Sequence, residues 1–282
     1  MQFVSGRKRL DLTGKVAVVA VLNATPDSYV AGSRSLDISK LVAMAADAVR
    51  DGADIVEVGG ESTGPGSRDV PVGEELRRVL PAVRSIRAVL PDTWISVDTA
   101  KSAVAVESLA AGADMINDVS AGRADPAMFG VVASAGCLYV LMYAKDSTTR
   151  TTRADTPYDD VVLTVRLFLE TRIRAALDAG VRPSQLIIDP GLGHFLSSDP
   201  RYSREMILRL GELRDLGPLF VSPSRKSFLA GRLQLPVAER LPATLAASAV
   251  AVLHGAAFIR THDVLGTREI VDATFRLMHA VR

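Results

Sequence analysis

Apolar residues in this chain gather into eight short runs, and seven of them stop abruptly at polar or charged side chains. VAVVAVLN stops at Asn23, IVEVGGEST at Glu57 to Thr63, and WISVD at Asp98. MIND closes on Asn117 and Asp118, YVLMY on Tyr143, LIID on Asp189, and AFIRTH on Arg260 and His262. The eighth, LFVSPSRK, is less sharply bounded and passes into Ser222, Ser224, Arg225 and Lys226. Stretches with helical spacing lie between the runs. The spacing predicts helices over Ile38–Arg50, closed by Gly52, over Glu74–Leu90, halted at Pro91, and over Tyr158–Ala179, closed by Gly180. A strand followed by a helix, eight times, predicts a closed α/β barrel of the (β/α)8 (TIM) type. In that architecture the C-terminal strand ends converge on one mouth. The alternation excludes a β-sandwich and a helical bundle. A doubly wound open sheet would carry a glycine fingerprint after its first strand, where this chain has NATPDS. No linker or low-complexity run divides the chain, so residues 1–282 are expected to form a single domain.

Bulk properties narrow the function classes. A length of 282 residues suits one barrel of about 250 residues and leaves no room for a second full domain. A net charge of +1 gives no electrostatic case for nucleic acid or an anionic membrane. The single cysteine, Cys137, excludes an intrachain disulfide and a thiolate zinc site; it is expected in the core, in a cytoplasmic setting. Two segments imitate membrane signals. Arg7, Lys8 and Arg9 precede VAVVAVL, but Asp11, Gly14 and Lys15 intervene, which favours a buried first strand over a signal peptide. Leu241 to Ile259 is alanine-rich, carries His254 and breaks at Gly255, as a buried helix turning into a strand would.

The polar strand ends are the candidate chemistry. Asp98, Asn117 and Asp189 each end an apolar strand, and a buried carboxylate is costly unless it is paired. Around one mouth, opposite Lys226, they offer acceptors and donors to a flat heterocycle; singly, each also reads as a helix cap or a loop tie. Ser224-Arg225-Lys226 after the seventh strand and Arg260 with His262 after the eighth fall where barrels bind phosphate. Surface basic clusters are common, and His262 also reads as a structural histidine. Asn23 ends the first strand, where an amide oxygen near a diphosphate helps hold Mg2+; the other reading is an Asn-initiated turn. Ser28 to Asp37 and Glu61 to Gly73 are long connections of the kind that act as lids, and Lys145 to Thr156 is a third polar stretch.

Taken in order, LNATPDSY, VGGEST, ISVDT, INDVS, DPGLG, SRKSFLAG and RTHDV resemble the motifs of the dihydropteroate synthase family, from about Val21 to the C-terminus. The resemblance implies a (β/α)8 transferase. Such an enzyme condenses 6-hydroxymethyl-7,8-dihydropterin diphosphate with p-aminobenzoate to 7,8-dihydropteroate, with Mg2+, for folate synthesis. It implies that Asp98, Asn117, Asp189 and Lys226 hold the pterin, with Asp98, Asp189 and Lys226 as the catalytic set. Asn23, Arg260 and His262 would bind the diphosphate and its metal; Thr63 would help close the site; Ser224 and Arg225 would lie near the aminobenzoate carboxylate. The implied reaction is dissociative, with diphosphate leaving before the arylamine attacks. The resemblance also implies a homodimer, to which the small residues of Ala246 to Ala251 are suited.

Departures from the family pattern gather in the loops. Gly64 stands where the family has arginine, and Ser28-Tyr29-Val30-Ala31-Gly32 lacks an aspartate at the first mobile loop. After DPG the chain reads Leu192-Gly193-His194-Phe195-Leu196, losing a lysine. Ser222-Pro223, Tyr143 and Glu57 replace a Gly-x pair, a histidine and an aspartate. These changes keep two alternatives in view: a pterin-binding paralogue without the synthase step, and a pterin-dependent methyltransferase.

Overall fold

A computed structural model of the protein describes residues 1–6, 8–24 and 37–280. The expected lid between Ser28 and Asp37, with Ala31, falls outside the described residues up to position 36. Ten strands are present among the described residues. Two short ones, β1 (Gln2–Ser5) and β2 (Lys8–Asp11), pair antiparallel as a hairpin. The other eight are β3 (Ala17–Asn23), β4 (Ile55–Gly59), β5 (Trp94–Asp98), β6 (Met115–Asp118), β7 (Leu138–Met142), β8 (Leu186–Asp189), β9 (Leu219–Val221) and β10 (Ala256–Thr261). They are parallel and close in sequence order, β10 pairing back onto β3. The (β/α)8 reading is therefore borne out.

Helices follow the strands: α1 (Ile38–Arg50), α2 (Val72–Val89), α3 (Ser102–Ala110), α4 (Met128–Ala135), α5 (Val161–Asp178), α6 (Pro200–Leu208), α7 (Leu241–Leu253) and α8 (Val264–His279). The periodic segments lie close to their expected positions. Asp37 caps α1 by accepting from the Lys40 N–H, and Asp160 caps α5 by accepting from the Leu163 N–H. Gly52 just beyond α1 has φ +101°, in the left-handed region that glycine adopts without strain. Cys137 is buried immediately before β7, and burial pushes its thiol up to about 12. No helix among the described residues is long and apolar enough to cross a membrane.

Side chains alternate across each barrel strand. Val18, Ala20, Val56, Val58, Ile95, Val97, Ile116 and Leu141 point out into the layer shared with the helices. Ala17, Val19, Ile55, Trp94, Met115, Leu138, Val140, Ile187, Phe220 and Phe258 fill the interior.

The hairpin β1–β2 left no mark in the apolar pattern, because only Phe3 and Leu10 of its eight residues are buried. Those two, with Leu12, join the interior cluster and close the N-terminal end of the barrel. Phe3 meets Phe258 edge to face at 5.5 Å. Lys8 ties the hairpin to the rim through the Thr93 carbonyl (2.7 Å) and Asp114 (3.2 Å), a carboxylate also held by Arg87 (2.6 Å) and the Ile95 N–H (2.9 Å).

Replacing Phe3 with alanine opens a void against Phe258 and is expected to destabilise the fold by about 3 kcal/mol. Denaturant unfolding checks this, and a change below about 0.5 kcal/mol would mean the hairpin is an ornament.

Candidate active site

Within several strands the inward residues change character from apolar near the hairpin to polar near the other end. Glu57 follows Ile55 on β4, Ser96 and Asp98 follow Trp94 on β5, and Asn117 follows Met115 on β6. Asp189 follows Ile187 on β8, and Arg260 follows Phe258 on β10. The polar layer is wired together through Glu57, whose side chain is fully buried. One carboxylate oxygen of Glu57 accepts from Arg260 Nε at 2.5 Å; the other accepts from Ser96 Oγ and Asn117 Nδ2, both at 3.0 Å. A second guanidinium nitrogen of Arg260 reaches Asp98 at 3.1 Å.

Burial and the adjacent Glu57 charge raise the Asp98 carboxyl to about 7, against the opposing pull of Arg260. Burial also raises Asp189 to about 6, although Lys226 and the Gly191 N–H (2.7 Å) stabilise its anion. Lys226 is lowered to about 8 by desolvation, which Asp189 partly offsets. Its ammonium donates to the Leu192 carbonyl (3.2 Å) and lies 5.3 Å from the Phe195 ring centre. The Asn117 Oδ1 atom is buried and accepts no hydrogen bond from any described residue. An unmet buried acceptor in such a layer is open to a ligand donor. Ala100, Val119 and Met142, with Phe195 packed on them, form a small separate apolar patch. Met142 pairs in register with Asp189, so this patch adjoins the polar layer.

A rim of polar side chains surrounds this layer. Asn23, Thr63, Arg68, Arg78, Asp98, Arg260 and His262 line one cavity of about 970 Å³. Ser224 Oγ lies 2.9 Å from His262 Nδ1 and accepts from the His262 N–H at 3.2 Å. Desolvation, then Arg260 and Arg225, hold the His262 imidazole below the usual histidine range. Arg225 has φ +55°, a left-handed conformation unusual for a side-chain-bearing residue. Its N–H donates to Thr244 Oγ1 (2.9 Å), and its Nε and Nη2 grip Asp263 at 3.0 and 2.8 Å. That clamp fixes the turn between Ser224 and Lys226.

The structure therefore gathers Asp98, Asn117, Asp189, Lys226 and Arg260 at one end of the barrel, with Asn23, Thr63 and His262 at the rim and Ser224 beside His262. Arg225 turns toward Asp263. Two polar run-endings do not reach the mouth. Asp118 points outward and accepts from Tyr139 Oη (2.7 Å), Ser120 Oγ (2.7 Å) and the Gly122 N–H (2.8 Å). Tyr143 lies on the helix side against Phe168, and its hydroxyl meets that of Tyr158 at 3.1 Å. Both lie an odd number of residues from an inward neighbour, which reverses the face. Sequence reasoning missed Glu57 as the hub and the Val119–Met142–Phe195 wall. Their signal was parity: Glu57 lies two residues beyond inward Ile55, and Met142 two beyond inward Val140.

A stability consequence follows from the two raised carboxyls. Each binds its proton more tightly folded than unfolded, where its ordinary value is 3.8. Their contribution is full below that value and lost as pH rises through about 6 and then about 7. Unfolding free energy measured between about pH 5 and pH 8 should fall less steeply in the double variant Asp98→Asn, Asp189→Asn than in the unmodified chain. Equal slopes would show that these carboxyls titrate normally.

Comparison with known proteins agrees with this geometry. The family described as pterin binding enzyme matches residues 19–262. The chain is 39% identical over 278 residues to the dihydropteroate synthase of Mycobacterium leprae (strain TN), with 94% of each chain covered. It is 37% identical over 261 residues to that of Escherichia coli (strain K12), with 91% of each covered. The solved dihydropteroate synthase of Xanthomonas albilineans with 4-aminobenzoic acid matches with a TM-score of 0.88 at 35% identity, over 99% of this chain and 97% of that one. The enzyme from the same organism in complex with 7,8-dihydropteroate gives 0.84 at 32% identity, over 100% and 98%. With a barrel of this topology and matches of this extent, the chain belongs to the dihydropteroate synthase family of pterin-binding enzymes.

Proposed function

We propose that the chain condenses 6-hydroxymethyl-7,8-dihydropterin diphosphate with p-aminobenzoate, releasing 7,8-dihydropteroate and diphosphate. The observation that carries this reading is the set of buried Asn117 and Asp189 with partly buried Asp98 and Lys226 around one apolar wall, the Asn117 acceptor unmet. The edge of a pterin carries ring N–H and amino donors. Asp98, Asp189 and the Asn117 amide oxygen would accept from them, while Lys226 donates to a ring acceptor. Val119, Met142 and Phe195 would face the ring's plane.

In the reaction the C–O bond from the pterin methylene to diphosphate breaks, and the electron pair leaves with the diphosphate. The arylamine nitrogen then forms the C–N bond and gives up a proton. Arg260 and His262 would stabilise the departing charge, and the carboxylates below would stabilise the delocalised cation. Ser224 and the Nη1 atom of Arg225, which the Asp263 clamp does not use, would meet the aminobenzoate carboxylate. Thr63 would cover the site.

The family's Mg2+ suits this donor set. Asn23 supplies a neutral oxygen beside Arg260 and His262 in the rim cavity, and Mg2+ usually takes few protein ligands and several waters. No group of three or more His, Cys, Asp or Glu among the described residues is placed to hold an ion. Asn23 would therefore share the metal with diphosphate oxygens, and bound Mg2+ would neutralise the leaving group. A cytoplasmic homodimer belongs to the same proposal. The small-residue face of α7 and the exposed Leu253 and Leu265, on two helices packed together, support the pairing.

The direct test is product formation from both substrates with Mg2+. Diphosphate and dihydropteroate below detection from folded protein would reject the synthase reading, and pterin binding without aminobenzoate dependence would favour the binding-only paralogue. Asp98→Ala and Asp189→Ala are each expected to abolish calorimetric pterin binding while leaving the fold intact. Retained affinity would make them structural.

Gly64 tolerates a side chain: its backbone lies outside the left-handed region, and an added Cβ would sit 3.6 Å from Ser62 Oγ. Gly64→Arg is accordingly expected to raise aminobenzoate-dependent turnover. An unchanged or lower rate would show that the loop is rebuilt around another group.

A further inference from the structure

The segment after β4 carries Thr63 to the rim, and its own contacts are few. Ser67 closes a tight turn on the Gly64 carbonyl, from both its hydroxyl (2.7 Å) and its N–H (3.2 Å). Glu61 adds a bond from the Val70 N–H at 3.3 Å. Gly64 and Gly66 contribute no side chain. Much of what holds this turn in place comes from elsewhere in the chain, chiefly from two consecutive residues of the connection after β7.

Arg150 is mostly buried, 21% exposed, and its guanidinium reaches both ends of the turn. It pairs with Glu61 at the start, and with Asp69 (3.1 Å) and the Arg68 carbonyl (3.0 Å) at the end. Thr151 donates its N–H to the Thr63 carbonyl at 3.1 Å. Lys101 on the next loop also pairs with Glu61, and with the buried Glu75 at 2.5 Å. A planar fork spreads its donors apart in fixed directions and so reaches both ends of the turn at once, whereas a lysine's donors all lie on one atom.

The same connection is bolted to the loop after β8. Thr151 Oγ1 donates to the His194 carbonyl at 2.7 Å, and the Lys145 N–H donates to the Phe195 carbonyl at 2.9 Å. Lys145 further binds Asp146 (2.5 Å) and Thr152 Oγ1 (2.9 Å). Residues 145–152 thus form a strap from the ring-facing Phe195 to the rim residue Thr63.

We propose that Arg150 is a positioning residue that holds the 61–70 turn against the mouth and thereby sets affinity for the second substrate. The part concerning substrate rests on the synthase reading above; the part concerning the turn does not.

The experiment compares unmodified protein, Arg150→Ala and Arg150→Lys. Amide hydrogen exchange without substrates is expected to speed up at least about tenfold across 61–70 in Arg150→Ala, with the barrel strands unchanged. KM for p-aminobenzoate should rise about tenfold, with a smaller change in kcat and unchanged calorimetric pterin affinity. Arg150→Lys should restore part of each, because it keeps the charge beside Glu61 and loses the fork. Unchanged exchange across 61–70 in Arg150→Ala overturns the strap. Faster exchange with an unchanged KM overturns its role in substrate affinity. Absence of product from the unmodified protein falls on the synthase reading, since the exchange comparison is read without substrates.

Discussion

A carboxylate and a guanidinium meet inside the barrel, and the arrangement of the mouth follows from that meeting. Glu57 and Arg260 come from strands that are not neighbours; β3 lies between them. Removing two charges from water is expensive, and in a low-dielectric interior it is tolerated only when hydrogen bonds meet the remaining valences. Ser96, Asn117 and Asp98 meet them here. Each of these is thereby fixed in direction, and the Asn117 amide is left with its oxygen unmet. The ion pair orders the pocket more than it stabilises the fold. Its partners could not rotate away without stranding a buried charge.

Much of this was legible in the sequence because barrel chemistry is written at strand ends. Asp98, Asn117, Asp189, Arg260 and His262 each terminate an apolar run, and the structure gathers them at one end of the barrel. The eighth run was blurred for a physical reason. Strand β9 spans three residues, is flanked by Pro218 and Pro223, and shares one register pair with β8. Termination alone did not give the face. Asp118 and Tyr143 end runs as sharply as the others and face the helices. The hairpin was illegible because two buried side chains in eight residues make no periodic signal. Glu57 first read as a departure from a motif; only its register with Ser96 and Val21 shows it at the centre of the polar layer.

The pattern of change across the chain fits this division of labour. Of the residues wired to the interior charges, Glu57 departs from the family pattern only as one carboxylate for another, whereas Gly64, His194 and Tyr143 differ in connections outside that wiring. Loops tolerate such change because their backbone bonds can be remade with other partners. In this chain the remaking is visible: the connection after β7 supplies an arginine and a threonine that join its neighbours on either side. Position at the rim then depends on contacts between loops, whereas position in the interior depends on the strands.

The aromatic and aliphatic stopper formed by Phe3, Leu10 and Leu12 has a consequence for electrostatics. It leaves the charged tier with a dry floor and with water on one side only. A flat molecule settling from above would act as the second half of a sandwich, displacing the last solvent in contact with Asp98, Asp189 and Lys226. Every attraction within the tier would then strengthen together, so that seating the first molecule would itself charge the chamber for the second.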